Sequence, residues 1–319
     1  IQADATKHPE KLMILSIGEH GAEGIVGSAM MQLFIEEYLP HLNPENTGIL
    51  LVHAINPWGM KSMRRVNPNN VDLNRNFLAG EKAYVSSKNE GYALINAFLN
   101  PQESVKGRFI ANLVLFSKLI KNMIAPGEAA IRAGTLMGQF EFPQGLYFGG
   151  QQLEEETQLM MSLYRKTIQK YAHILHLDMH TGYGPRYQMS LVNSPLETRG
   201  SKELEELFAY PRIVAATPDE FYTMQGDMID WMYKLVRSEF PEKKLYATAF
   251  EFGTFGDSLF AGIRSLKAMI FENQLHWHGA SNQNVEKQVK EDFRELFAPT
   301  KLAWQEKATA DVRSAFSGI

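Results

Sequence analysis

Short apolar runs and amphipathic segments alternate along the first 60 residues of the chain. Leu12–Ile17 and Ile49–Ile55 are short, apolar and partly β-branched, which predicts two buried strands. Between them, Gly24–Tyr38 carries apolar side chains at the spacing of an amphipathic helix. A strand, a helix and a second strand in this order predict a parallel pair of strands joined by a right-handed crossover.

The same alternation continues to the end of the chain. Further strands are predicted at His173–His180, Met189–Val192 and Leu245–Phe252. Helices are predicted at Leu153–Tyr171, Asp227–Ser238, Ser258–Leu275, Gln288–Phe297 and Leu302–Phe316. Residues 79–140 are predicted to be mostly helical and, with the Gly-rich loop that follows, form an insertion at about 79–150. We therefore expect one α/β domain over residues 1–319 with a helical insertion.

Composition narrows the classes of function. The 319 residues include 32 basic and 36 acidic side chains, a net charge of −4 that does not favour a nucleic-acid partner. No run approaches the roughly 18 apolar residues of a membrane span. The chain contains no cysteine, so histidines and carboxylates must hold any metal. Because it begins at Ile1 rather than Met, we expect an upstream segment, and both a cytoplasmic and a secreted location fit the sequence.

Polar residues that could do chemistry follow several predicted strands. His20 and Glu23 lie in a Gly-rich turn after the first strand, His180 ends another, and Glu251 lies between two phenylalanines near the end of the last. Two imidazoles and one carboxylate leave a tetrahedral zinc ion with one open position for water. We therefore expect one zinc ion per chain. Burial between aromatic rings would raise the pKa of Glu251, as suits a general base.

Other histidines and other interpretations remain open at this point. His176 points to the same strand face as His180, because side chains alternate along a strand, and it is the main rival ligand. His180 could instead be a structural histidine, and Glu251 a salt-bridged or solvated carboxylate. His276 and His278 lie near the end of a predicted helix, where an exposed helix end is the better interpretation.

Taken in order, four motifs resemble those of the M14 zinc carboxypeptidase family, and more closely its bacterial metallopeptidase branch, which is DUF2817-like. The motifs are Gly-Glu-His20-Gly-Ala-Glu23-Gly, Val-Asp72-Leu-Asn74-Arg75-Asn-Phe, Leu-Asp-Met-His180-Thr-Gly and Phe-Glu251-Phe-Gly-Thr. Asn56-Pro-Trp-Gly59 matches a further turn of the family, and the matches run from about residue 12 to 260. The resemblance implies a three-layer α/β/α fold around a mixed, mostly parallel eight-stranded sheet.

The resemblance also implies a role for each matched position near the metal. His20, Glu23 and His180 would bind zinc, and Asp72 would hold the free nitrogen of His20. Glu251 would act as the general base and then as the proton donor to the leaving amine.

Further positions would bind the substrate. Asn74 and Arg75 would hold a terminal carboxylate, and Tyr222 would cap the bound substrate. Arg65, or else Arg64, would polarise the scissile carbonyl. The choice between the two arginines stays open because the spacing to Arg75 is shorter than in the digestive carboxypeptidases.

The implied activity is that of a carboxypeptidase-type zinc metallopeptidase, which hydrolyses a peptide bond near a free C-terminal carboxylate with zinc-activated water. The alternative is an aspartoacylase-like amidohydrolase or deacylase acting on N-acyl amino acids, whose relatives share the short spacing from Arg65 to Arg75. Tyr222 and the segment after it favour the peptidase. A catalytically silent peptide-binding module is a third interpretation. Ile229 lies where the family sets specificity, and its apolar side chain argues against a basic terminal residue.

Overall fold

A mixed sheet of seven strands lies at the centre of the computed structural model, which describes residues 1–78, 84, 89–107, 137–215 and 225–319. The strands are β1 (Gln2–Ala3), β2 (Lys11–Ile17), β3 (Thr47–His53), β4 (His173–Gly182), β5 (Met189–Asn193), β6 (Ile213–Ala215) and β7 (Lys244–Gly253). Their order across the sheet is β1-β3-β2-β4-β7-β5-β6. The middle strands β3, β2, β4 and β7 are parallel, β1 and β5 run antiparallel to β3 and β7, and β6 runs parallel to β5.

The mixed, mostly parallel α/β sheet is confirmed, but the strand count of eight is wrong for the described residues, which form seven strands. The number eight came from the family resemblance rather than from the pattern of this chain. Two of the seven, β1 and β6, have only two and three residues. Segments that short carry too little alternation to be recognised as strands in a sequence.

Helices cover both faces of the sheet. They are α1 (Gly24–Glu37), α2 (Pro57–Ser62), α3 (Glu90–Leu99), α4 (Glu155–Ile168), α5 (Ser201–Phe208), α6 (Met228–Glu239), α7 (Leu259–His278), α8 (Gln283–Phe297) and α9 (Leu302–Gly318). Apolar residues of α1, α5 and α9 pack on one face, and those of α4 and α6 pack on the other. Both faces are therefore buried, which explains why the parallel strands are nearly continuous apolar runs.

A third apolar cluster joins α3 to α7 and α8. Helix α3 belongs to the predicted insertion, and its helical character is confirmed for Glu90–Leu99. Residues 79–83, 85–88 and 108–136 of the insertion lie outside the described residues. No helix in the described ranges is long and apolar enough to cross a membrane.

One predicted turn is instead the start of a helix. Asn56 precedes α2, and its side-chain oxygen accepts a hydrogen bond from the backbone N–H of Gly59 at 2.8 Å. Pro57 occupies the first helical position, where the backbone N–H that it lacks has no partner within a helix. This short helix packs closely on the turn after β2, because a Cβ at Gly21 would lie 2.2 Å from the backbone of Gly59.

The parallel strands bring their carboxyl ends to one edge of the sheet. In the pairing of β4 with β7, His180 lies beside Glu251 and Asp178 lies beside Ala249. The turn after β2 reaches the same edge, because Ile17 pairs with Met179. This edge is where open α/β sheets place their binding sites, and the predicted metal ligands meet there.

Candidate metal centre and active site

Two imidazoles and one carboxylate converge at this edge of the sheet. Nδ1 of His20 lies 2.9 Å from Oε1 of Glu23, and Nδ1 of His180 lies 3.1 Å from Oε2 of the same carboxylate. All three residues are buried, and their potential ligand atoms lie within 4.8 Å of one another. The backbone N–H of Thr181 donates to Oε2 of Glu23 at 2.9 Å and so fixes this carboxylate. The structure thus brings together the three predicted ligands.

A carboxylate lies at the far nitrogen of each imidazole. Oδ1 of Asp72 is 3.0 Å from Nε2 of His20, as the resemblance implied, and Oδ2 of Asp178 is 2.6 Å from Nε2 of His180. Such partners orient metal-binding imidazoles and increase their basicity. A carboxylate only accepts hydrogen bonds, so Nε2 of His180 carries a proton, and its Nδ1 faces Glu23.

The donor set fits a zinc ion. In the neutral form of His180, the Nδ1 lone pair faces a carboxylate oxygen, and a cation between them relieves the repulsion. Two imidazole nitrogens and a carboxylate are the protein ligands of many catalytic zinc sites. His20, Glu23 and His180 could therefore hold the ion.

Charge pairing shifts the pKa values around these ligands. Burial disfavours charge throughout, yet the carboxylates of Asp178 and Glu23 hold the pKa of His180 well above its usual value. Attraction to His20 and hydrogen bonds from both imidazoles overcome burial and lower the pKa of Glu23. Arg65 and other positive groups likewise lower the pKa of Asp72. The two carboxylates are therefore ionised at neutral pH.

Glu251 lies beside the metal ligands without joining them. It is half-buried, and its Oε1 accepts a hydrogen bond from the backbone N–H of Tyr183 at 3.0 Å. Burial raises the pKa of Glu251 to about 8. A carboxyl group with a pKa near neutrality can both accept and return a proton, which is the property predicted for this residue.

The two neighbouring arginines point to different parts of the molecule. Arg64 donates through Nε to Glu272 at 2.8 Å and through Nη2 to Asn273 at 3.1 Å, away from the metal ligands. Nη2 of Arg65 lies 3.0 Å from Oδ2 of Asp72 and 2.6 Å from Nε2 of His20. Of the two alternatives left open by the sequence, Arg65 is the one that lies in the site.

Asn74 and Arg75 lie where the chain packs against the start of α6. Oδ1 of Asn74 accepts a hydrogen bond from the backbone N–H of Met228 at 3.0 Å. Arg75 is 2 % exposed and donates through Nη1 to the carbonyl of Asn74 at 2.9 Å. Gly226 is required here, since its φ is +74° and a Cβ would lie 2.2 Å from the carbonyl oxygen of Arg75.

Of the two remaining predicted substrate residues, Tyr222 lies outside the described residues. Ile229 is buried against Tyr233 and Ala247, on the same face of β7 as Glu251. Ala247 is four residues from Glu251, about 13 Å along the strand, so Ile229 lies deep beneath the metal ligands.

His176, the rival metal ligand, contacts the groups that support His180 and does not join the ligands. It is fully buried, and its Nε2 donates to Oγ of Ser16 at 2.9 Å, while that hydroxyl donates to Oδ1 of Asp178 at 2.6 Å. Burial lowers the pKa of His176 to about 4, so its ring is neutral. Neither potential metal group among the described residues includes it. Asp178 and Ser16 were not among the predicted site residues, although strand alternation places Asp178 on the same face as His180.

Glu19 was also missed, and its surroundings differ from those of the other carboxylates. It is 1 % exposed, and neither of its oxygens has a hydrogen-bond partner among the described residues. With Asp178 and His180 it forms a second group of potential metal ligands. Burial, together with repulsion from Asp178, raises the pKa of Glu19 well above its usual value. His276 and His278 end α7 and belong to neither group.

Comparisons with other proteins give a family match and looser structural similarities. A family model described as "Protein of unknown function (DUF2817)" matches residues 2–311, and no curated protein sequence matches the chain. Bovine thrombin-activatable fibrinolysis inhibitor, solved with tick carboxypeptidase inhibitor, has a TM-score of 0.44 at 16% identity, covering 90% of this chain and 85% of that chain. Murein-tripeptide amidase MpaA from Escherichia coli O157 has a TM-score of 0.40 at 20% identity, covering 86% and 85%. Carboxypeptidase A from Helicoverpa armigera has a TM-score of 0.39 at 12% identity, covering 93% and 69%.

Proposed function

Because the chain belongs to the DUF2817 family, whose function is unknown, its activity has to be inferred from its own site, and we propose that it is a zinc-dependent metallopeptidase of the carboxypeptidase type. The observation that supports this proposal is the convergence of His20, Glu23 and His180 beside Glu251, at the carboxyl ends of parallel strands. Zinc held by the three residues would supply a Lewis acid and lower the pKa of a bound water.

The protein's own groups supply the proton transfer. Glu251 takes a proton from the attacking water and delivers it to the amine that leaves when the peptide bond breaks. Its raised pKa, about 8, suits both directions of this transfer. Arg65 donates hydrogen bonds to the carbonyl oxygen as negative charge develops there, while Asp72 holds the guanidinium in place.

Arg75 and Asn74 bind the free carboxylate of the substrate's last residue. A buried guanidinium beside the start of α6 favours an anion, because the N-terminus of a helix adds a partial positive charge. Tyr222 would close over the bound substrate, and Ile229 would line the deep end of the pocket for its side chain.

A deacylase acting on N-acyl amino acids uses the same groups and is the second candidate. The short stretch from Arg65 to Arg75, which resembles that of the aspartoacylase-like relatives, favours it. Peptides with a free C-terminus, the same peptides as C-terminal amides, and N-acyl amino acids separate the candidates. Cleavage of only the free peptides supports the carboxypeptidase, and cleavage of only the N-acyl amino acids supports the deacylase.

The decisive experiment measures zinc content and hydrolysis in three variants. We expect about one zinc per chain in the wild-type protein and in Glu251→Gln, and its loss in His180→Ala. Glu251→Gln should lower kcat by about 10²- to 10⁴-fold, because it cannot accept the proton. Glu206→Gln, the same change at an exposed position of α5, is the control. Unchanged kcat in Glu251→Gln removes this residue from the mechanism, and a wild-type protein that binds peptides without cleaving them is a binding module.

A further inference from the structure

His176 is a fully buried imidazole that takes no part in the proposed reaction. Its Nε2 lies 2.9 Å from Oγ of Ser16, and its Nδ1 has no hydrogen-bond partner among the described residues. The ring packs against that of Tyr164, with 5.1 Å between the ring centres. Burying an imidazole with an unused nitrogen is costly, so this side chain in the middle of a strand requires an explanation.

The contacts of Ser16 fix the direction of each hydrogen bond. Its Oγ lies 2.6 Å from Oδ1 of Asp178, and a carboxylate only accepts, so the hydroxyl hydrogen points at Asp178. Only lone pairs of Oγ then face His176, so the single proton of that neutral ring lies on Nε2. The other tautomer would place two lone pairs against each other and leave a buried N–H at Nδ1 without an acceptor.

The hydrogen bonds continue from Asp178 to a predicted metal ligand. Oδ1 of Asp178 accepts from Ser16, and Oδ2 lies 2.6 Å from Nε2 of His180, so both oxygens of the carboxylate are held. With the Nε2 proton directed at Asp178, the lone pair of His180 lies on Nδ1, which faces Glu23. Ser16 on β2 pairs directly with Asp178 on β4, and such positions on neighbouring strands hold side chains more precisely than loops do.

We propose that Ser16 and His176 are positioning residues, which act through Asp178 to hold His180 with its Nδ1 directed at the metal ion. The inference rests on the zinc site of the proposed function and adds two residues that contact neither metal nor substrate. Oε2 of Glu19 is 3.6 Å from the same Nε2 of His180, so a fixed Asp178 also decides which carboxylate accepts the proton. His176 is needed because a serine hydroxyl rotates, and an N–H on Oγ leaves the hydroxyl hydrogen for Asp178.

The competing interpretation is that Ser16 and His176 only help the sheet to pack. In that case their loss lowers the free energy of unfolding and leaves zinc affinity unchanged. Thr248 provides the comparison, because it is also a fully buried hydroxyl on a central strand, and it donates to the carbonyl of Val192 at 3.1 Å rather than to a group of the site.

The test measures zinc affinity by competition with a zinc-binding dye, and the free energy of unfolding of the metal-free variants in urea. We expect Ser16→Ala to weaken zinc binding about three- to fivefold, less than the roughly 10- to 100-fold typical when a group touching the ligand itself is lost. Ser16→Thr keeps the hydroxyl and should keep the affinity. Thr248→Val should lower stability and leave zinc affinity unchanged.

His176→Leu separates a chain of hydrogen bonds from two independent effects. It should weaken zinc binding by no more than Ser16→Ala does, and the double variant should bind zinc as Ser16→Ala does, because both residues act through one hydrogen bond to Asp178. In the metal-free wild-type protein, nitrogen NMR should find the proton of the His176 ring on Nε2.

Each result decides between the alternatives. Unchanged zinc affinity in Ser16→Ala or in His176→Leu, additive losses in the double variant, or a proton on Nδ1 of His176 overturns the inference. An equal loss of affinity in Thr248→Val assigns the effect to packing and also overturns it. The expected pattern without any hydrolysis supports the inference, and only the proposed activity then fails. A wild-type protein that binds no zinc contradicts both.

Discussion

Two groups of carboxylates lie near the metal ligands, and they differ in how their charge is balanced. The Glu23 side consists of Glu23 and Asp72, and the Glu19 side consists of Glu19, Asp178 and Asp227. On the Glu23 side, Oε2 of Glu23 accepts a hydrogen bond from the backbone N–H of Thr181, and the neighbouring Asp72 contacts Arg65. On the Glu19 side, Asp178 accepts the hydrogen bond from Nε2 of His180, and Glu19 has no hydrogen-bond donor among the described residues.

The pKa values follow this difference. Positive neighbours lower the pKa of Glu23 and Asp72 despite burial, whereas burial and like charges raise that of Glu19 and bring that of Asp227 to about 6. Loss of solvation disfavours the charged form of all four, so the charged neighbours decide the direction of each pKa shift. The Glu23 side is arranged to hold a metal in a fixed geometry. On the Glu19 side, no hydrogen-bond donor among the described residues faces Glu19.

Replacing the carboxylate at Nε2 of each imidazole with an amide should give the largest difference in zinc affinity between the two sides. We expect Asp72→Asn to weaken zinc binding about 10- to 100-fold, because an amide no longer attracts the His20 proton or Arg65. Asp178→Asn should weaken it less than tenfold, since Glu19, 3.6 Å from the same nitrogen of His180, remains to attract its proton. Competition with a zinc-binding dye measures both affinities.

Adding Glu19→Gln to Asp178→Asn provides the control for that explanation. The double variant should lose zinc affinity to the same extent as Asp72→Asn, because neither carboxylate then faces Nε2 of His180. Equal losses in the two single variants, before Glu19 is changed, would mean that the two sides support their imidazoles alike.

The metal ligands could be predicted from sequence because their positions follow from local rules. His20 and Glu23 come directly after a buried strand, His180 ends another, and parallel strands bring such residues to one edge. Which arginine joins them could not be predicted. Arg64 and Arg65 follow the end of α2 at Met63, which has a left-handed φ of +52°, and that local turn decides their directions.

The acceptors of the Glu19 side were harder to foresee, for a different reason. Alternation predicts the strand face on which Asp178 lies. Its role in the site also depends on the hydrogen bond that it accepts from Ser16, which lies on another strand. Glu19 follows Gly18, whose φ of +64° ends the alternation of β2, so strand periodicity says nothing about its direction. Recognising a carboxylate without a donor requires all of its neighbours, which a single sequence does not supply.

The dependence of the free energy of unfolding on pH should also distinguish the Glu19 side from the Glu23 side. Glu19 has a raised pKa, so its contribution to the free energy of unfolding is full below its unfolded value, 4.5, and falls as pH rises toward its folded pKa. Metal-free Glu19→Gln should therefore gain about 1–3 kcal/mol over wild type between acidic and neutral pH, as a buried carboxylate without a donor is removed. Urea unfolding at several pH values measures the gain.

Glu23→Gln is the matched variant with the opposite sign. The pKa of Glu23 is lowered, so its stabilising contribution is present above pH 4.5 and is lost as pH falls. This variant should be less stable than wild type at neutral pH and should approach it in acid. Parallel pH profiles for the two variants would contradict a difference in charge balance.

The smallest expected effect tests how closely the sheet is covered at Ala249, which pairs with Asp178. Ala249→Val adds two methyl groups to a half-buried position of a strand, where a β-branched residue is favoured, so the free energy of unfolding should change by less than about 0.5 kcal/mol. Ala247→Val makes the same change two residues away, beneath Ile229, and overpacking there should cost about 1–3 kcal/mol. If Ala249→Val costs as much as Ala247→Val, the sheet is packed as closely at Ala249 as at Ala247.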